Sequence, residues 1–255
     1  MTNPAELRGL RALGFAAREA NRSMERLATG KKINRASDDP AGLTAGEALA
    51  LDERRINEQI KRLQFEGSYI AARDGGSSVI SDMLIEVRGL ITQAANTGGT
   101  TRGEREALQL QADALLRTFD HLSNTFSFNG QRILEGSTAQ ALGLSGLFTG
   151  GELNLVDGDL KAADEAITSA IDRYSFSRAG LGNRARQIDS EIRSLQTELE
   201  QVMGIKSQIL DTDYAAETSN LIRQQVLQQA ATFTMQIARK SHADTVLRLL
   251  GGIRG

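Results

Sequence analysis

Residues 182–211, GNRARQIDSEIRSLQTELEQVMGIKSQILD, place Ile188, Ile192, Leu195, Leu199, Val202 and Ile209 at alternating steps of four and three. Lys206 occupies the one remaining position of that series. The spacing predicts a helix with a coiled-coil seam, and a single polar residue on a seam fixes alignment more often than it breaks the helix. A seam requires a partner. Leu49, Ile56, Leu63 and Ile70 recur every seven residues upstream, with Ile60 at the intermediate position. Each Leu or Ile buried in such a pair contributes roughly 1.5–3 kcal/mol, whereas either helix alone is marginal. The two seams are therefore read as packing on each other within the chain.

Working outward, Asp38-Asp39-Pro40 supplies an acidic cap and a residue suited to the first helical turn, so the upstream helix starts there. A further series, Ile80, Leu84, Val87 and Ile91, ends before Gly98-Gly99, and another runs through Leu108, Leu115 and Leu122. These are expected as third and fourth core helices. Asn129-Gly130, the Gly-rich stretch after it and the alternation at Leu153 and Leu155 predict a small β-hairpin region at about 126–156. Helical pattern resumes near Ala162 and continues to Leu250. The expected class is mainly α, an elongated antiparallel helical rod of coiled-coil terminal helices and a helical bundle, with that small central β-hairpin region.

Composition narrows the chemistry. The 255 residues include 30 Lys and Arg against 32 Asp and Glu, so there is no broad positive field for nucleic acid or anionic lipid. Cysteine is absent, which excludes thiolate metal sites, disulfides and cysteine nucleophiles. Residues 1–21 are interrupted by Glu6, Arg8, Arg11, Arg18 and Glu19 and lack the apolar core of a cleavable signal peptide. No run approaches the roughly 18–20 apolar residues of a membrane span, so membrane insertion is not expected.

The two histidines, His121 and His242, stand outside any metal-ligand pattern. Asp211, Asp213 and Glu217 resemble the start of a cation loop, but Ala215 and Ala216 stand where further oxygen ligands are needed. Helix capping explains them better. Glycines 143, 146, 150 and 151 meet neither a dinucleotide nor a phosphate-loop spacing. An enzyme, a cofactor and a metal are accordingly not expected, and no catalytic residue is assigned.

The ends carry apolar side chains far from the central seams: Leu7, Leu10 and Leu13 at one, and Leu221, Ile237, Val246, Leu247, Leu249 and Leu250 at the other. A pair of helices cannot hide all of this surface against each other, so other copies of the chain are expected to cover it.

Residues 27–42, LATGKKINRASDDPAG, resemble the amino-terminal signature of bacterial flagellins. TFSFNG at 125–130 with Ile133-Leu134, DTDYAAE at 211–217, LQQA at 227–230 and VLRLL at 246–250 are similar to the family as well. The likeness covers nearly the whole chain, without the variable surface domain found in many members. It implies an inner coiled coil from 1–41 and 212–255 around an outer helical part at 42–211. It further implies an extracellular subunit of the bacterial flagellum that leaves through the flagellar type III channel and self-assembles as a homopolymer. The expected partners are an export chaperone on the carboxyl-terminal segment, the filament cap and the hook-junction proteins. The alternative is a hook-filament junction protein, which shares the terminal helices. Leu84, Val87, Arg88 and Leu90 match the segment through which many flagellins engage a vertebrate Toll-like receptor. Ile85, Glu86 and Gly89 depart from it, and the reversed charge at Glu86 leads us to expect weak or absent receptor activation.

Overall fold

The computed structural model describes the backbone of residues 4–96, 99–134 and 136–251 and the side chains of 6–96, 99–134 and 136–241. Its described elements are α1 (Pro4–Thr29), α2 (Pro40–Ala95), α3 (Arg102–Thr125), β1 (Ser127–Phe128), β2 (Gln131–Arg132), a short 3-10 turn at Ser145–Leu147, α4 (Leu160–Leu210) and α5 (Tyr214–Gly251). They group into two compact units, one of Met1–Ile56 with Glu198–Gly255 and one of Asn57–Thr197. The class read from the sequence, mainly helical with a small β element, is the class found.

The helices expected separately on either side of Arg73 are one 56-residue helix. Gly75 and Gly76, which lie at the expected break, do not end it. A Cβ at Gly76 would come within 2.8 Å of the Phe126 ring and 2.9 Å of Leu134, so this glycine admits a neighbouring segment.

In the unit 57–197 the core gathers Ile80, Leu84, Val87 and Ile91 from α2, Leu116 and Phe119 from α3, and Ile167 and Ala170 from α4. Leu108, Leu115 and Leu122 pack against this cluster half-buried. The fully inward face of α3 lies one position on, at Gln109, Ala112, Asp113, Leu116, Phe119 and Ser123. Thr101 and Glu104 begin α3 with a capping box.

The β region is much smaller than 126–156. Ser127 pairs Arg132 and Phe128 pairs Gln131 around Asn129-Gly130, both at positive φ as a two-residue hairpin turn demands. Beyond it the backbone turns repeatedly, with Gly136, Gly143 and Gly150 at positive φ. Leu155 is fully buried, and its N–H donates to Gln109 Oε1 at 2.6 Å rather than to a strand. Gln109 Nε2 donates to the Leu147 carbonyl (2.8 Å) and to Asp113 Oδ1 (2.7 Å), and Asp113 accepts from the Thr149 N–H and hydroxyl. Side chains of α3 thus supply the hydrogen bonds that a longer sheet would have made.

Gln109→Ala would strand the buried Leu155 N–H and Leu147 carbonyl, a loss of about 1–3 kcal/mol. Thermal unfolding followed by circular dichroism should show a lower midpoint with helical content retained at 25 °C; an unchanged midpoint refutes the role assigned to Gln109.

Candidate functional site

Among the described residues no group of three or more His, Cys, Asp or Glu could hold a metal ion, and no helix is long and apolar enough to cross a membrane. The informative geometry is the pairing of α1 with α5 in the unit 1–56 with 198–255. Glu6 bonds Arg239 (2.7 Å), the Ala16 carbonyl accepts from Gln228 Nε2 (3.1 Å), and Ser23 donates to Glu217 Oε1 (2.5 Å). Numbers rise on α1 as they fall on α5, so the pair is antiparallel. A Cβ at Gly9 would fall 2.7 Å from Met235 Cγ, so the glycine makes room for that methionine.

Glu217 stands in the first turn of α5, as its place after the cap leads one to expect, and is also buried against α1. Its second oxygen lies 3.6 Å from Arg26 Nη1. Asp213 does cap α5, accepting from the Ala215 and Ala216 amides at 2.8 and 3.1 Å.

The segment between α1 and α2 explains residue by residue why its sequence is so particular. Gly30, at φ 71°, ends α1 with its N–H on the Arg26 carbonyl. Its own carbonyl accepts from Thr212, Lys32 N–H donates to the Leu210 carbonyl, and Lys31 and Asp211 form an antiparallel bridge. Ile33 is buried, and a Cβ at Gly42 would fall 2.6 Å from its Cδ1. Asp38 Oδ2 accepts from the Asn34 and Arg35 amides, and Asp39 Oδ1 accepts from Gly42 to cap α2 ahead of Pro40.

In this unit Lys206, the seam lysine, pairs with Glu53 at 2.6 Å. Ile56 is fully buried, while Leu49, Leu199, Val202 and Ile209 are half-buried. In the unit 57–197, Ile60, Ile70 and Ile188 are buried and Leu63, Ile192 and Leu195 half-buried, with Glu66 and Arg184 paired at 2.7 Å.

The terminal helices leave apolar surface bare. Leu7 and Leu10 are exposed, Leu13 and Leu221 half-buried, and Ile237 exposed. The sequence reading missed Phe15, Ile222, Val226 and Phe233, all exposed on the same two helices. Periodicity on α5 could have suggested the last three, but which face α1 covers follows from the pairing. Val246, Leu247, Leu249 and Leu250 lie on α5, and their side chains fall outside the described residues. Leu84, Val87 and Leu90 face the core of the unit 57–197. Arg88 is exposed and ion-paired with Asp164 at 3.1 Å.

Comparison with known proteins gives a match to the bacterial flagellin N-terminal helical region over residues 1–139 and to the bacterial flagellin C-terminal helical region over 162–250. The chain is 27% identical to the flagellar filament 30.7 kDa core protein of Treponema maltophilum, covering 97% of this chain and 98% of that one. It is 27% identical to the flagellin of Bacillus subtilis (strain 168) with the same coverage, and 28% identical to that of Halalkalibacterium halodurans over 94% of this chain and 95% of that one. The crystal structure of Bacillus cereus flagellin aligns with a TM-score of 0.46 at 21% identity, covering 53% of this chain and 88% of that chain.

The Asn34 amide, with help from the Arg35 amide and the charges of Arg22 and Arg26, holds the Asp38 carboxyl below its ordinary range. Arg184 does the same to Glu66 by direct hydrogen bonding. With folded values depressed, the stabilisation is present above the ordinary carboxylate pKa, roughly 4, and is lost as pH falls through the lower folded value. Melting midpoints recorded from pH 6 to pH 2 should fall below pH 4, and Asp38→Asn should flatten part of that fall; identical profiles exclude Asp38 as a contributor.

Proposed function

The chain belongs to the bacterial flagellin family and is a structural subunit of the flagellar filament, outside the cell, and on that premise we propose that polymerisation runs through the apolar stripes of α1 and α5. Leu7, Leu10, Leu13, Leu221 and Ile237 belong to the stripe, with Phe15, Ile222, Val226 and Phe233 added to it. Val246, Leu247, Leu249 and Leu250 continue it toward the carboxyl end. The observation that carries this reading is the contrast within α1, where Ala16 and Ala20 are buried against α5 while Leu10 and Phe15 are about half exposed. Large apolar groups turned outward and small ones inward suit a surface covered by further copies.

In this reading 1–41 and 212–255 form the inner pair and 42–211 the outer part, and the Leu49 to Ile70 and Ile188 to Ile209 seams serve the monomer. The activity is association rather than catalysis. Export proceeds through the flagellar type III channel with a chaperone on the carboxyl-terminal segment, and growth involves the filament cap and hook-junction proteins. Receptor activation is weak or absent, since three matching residues of the epitope-like segment are inward and Arg88 is engaged by Asp164. Glu86, on the exposed side of that segment, adds a charge of the wrong sign.

Leu10→Glu or Ile237→Glu should leave the monomer melting midpoint within about 2 °C, because both positions are exposed. Sedimentation after seeding should show the critical concentration for filament growth raised about tenfold or more. Equal polymerisation by wild type and both variants would remove the stripe from the mechanism. Purified monomer should give a reporter-cell response through the Toll-like receptor at least about tenfold weaker than a strongly activating flagellin; an equal response refutes the expectation.

A further inference from the structure

Phe176, on α4 in the unit 57–197, is 83% exposed, the barest large apolar side chain described. The same unit carries a trough of about 480 Å³ between α2 and α4, lined by Leu63, Gly67, Ala71, Ala185, Ile188 and Ile192. Gly67 and Ala71 leave the α2 side of the trough low, and a Cβ at Gly67 would stand at an ordinary contact distance, 3.7 Å, from Ile188. We propose that Phe176 of one copy docks in this trough on a second copy, as a lateral contact of the filament distinct from the stripes of α1 and α5.

Three observations favour a second copy as the occupant. The chain builds a filament, so its surface must meet itself; the inference rests on that reading. An open assembly also requires unlike patches on one molecule, a projection and a recess that cannot close on each other. At roughly 3.6 residues per turn, Ser194 lies five full turns beyond Phe176 and on its side of α4, whereas Ala185 lies two and a half turns beyond and on the opposite side. Knob and recess therefore face opposite ways. Finally, the charges agree. Asp189 is the single charged residue lining the trough, and it is exposed. Arg173 is exposed one turn from Phe176, with its Nε on the Ser169 carbonyl of its own helix. Asp172 lies beside Arg173, so the approach that suits Asp189 is the one led by the guanidinium. A docked phenylalanine removes roughly 150–250 Å² from water, enough for a hot spot.

The absence of native cysteine gives a clean test. The double variant Phe176→Cys with Ala71→Cys, grown on wild-type seeds and treated with a short thiol-to-thiol cross-linker, should yield a covalent ladder in filaments and none in dissolved monomer. Either single variant should yield no ladder. Filaments of the double variant without a ladder overturn the proposal. Where the double variant does not grow, Phe176→Ala and Phe176→Leu decide. Alanine should raise the critical concentration about tenfold with an unchanged monomer midpoint, leucine should recover most of it, and no change with alanine overturns the contact. A wild-type chain that never forms filaments overturns the flagellar reading itself, whereas loss of the ladder alone leaves that reading standing.

Discussion

A helix packed on a single partner can bury one stripe of its surface, and the rest of its apolar residues must be covered by something else or stay in water. This constraint governs the unit formed by the two ends of the chain. Ala16 and Ala20 let α1 approach α5 closely, and their small volume means that the pair gains little from its own interior. The larger groups, Leu10, Phe15, Phe233 and Ile237 among them, turn outward. A chain arranged in this way leaves much of its apolar surface outside its own fold, which is the ground for the proposal that association covers it.

Polar contacts then set what a thin apolar interface cannot. Glu217 engages Ser23 and Arg26, Lys206 engages Glu53, and Glu6 engages Arg239, each joining helices far apart in the chain. The buried Glu217 is the costliest of these to leave unpaired, which makes it a strong selector of the α1 to α5 register. The turn at 30–42 adds rigidity by satisfying its own amides through Asp38 and Asp39 and by threading Gly30 and Lys32 against the end of α4.

The unit 57–197 solves a different problem. Three helices enclose a conventional core there, and the segment after the hairpin forms its lid with almost no regular structure. Buried backbone groups in that lid need partners, and Gln109, Asp113, Asp120 and Ser123 provide them from one face of α3. The residues 140–161, between the two matched family regions, lie largely within this lid. A segment held by side chains rather than by a ladder can vary in sequence as long as the carbonyls and amides opposite α3 keep their places.

Features with a local period were legible in the sequence. The helical character of α2 and α4, the start of α2 at Asp39-Pro40, the Asn129-Gly130 hairpin and a cap at Thr212 or Asp213 each follow from a repeat or a dipeptide whose physics acts within a few residues. The unbroken course of α2 through Gly75-Gly76 was not legible, because glycine signals a break and a close approach equally well, and Phe126 and Leu134 decide between them from another part of the chain. Nor was the short extent of the sheet, since the alternation of Leu153 and Leu155 is the same whether the amide bonds a strand or Gln109. The role of Glu217 depended on Ser23, 194 positions away. The sequence alone determined that the chain is mainly helical and that apolar surface exceeds what two helices can cover; only the tertiary structure decided where the helices run on and which faces remain bare, because burial is a property of the partner and not of the residue.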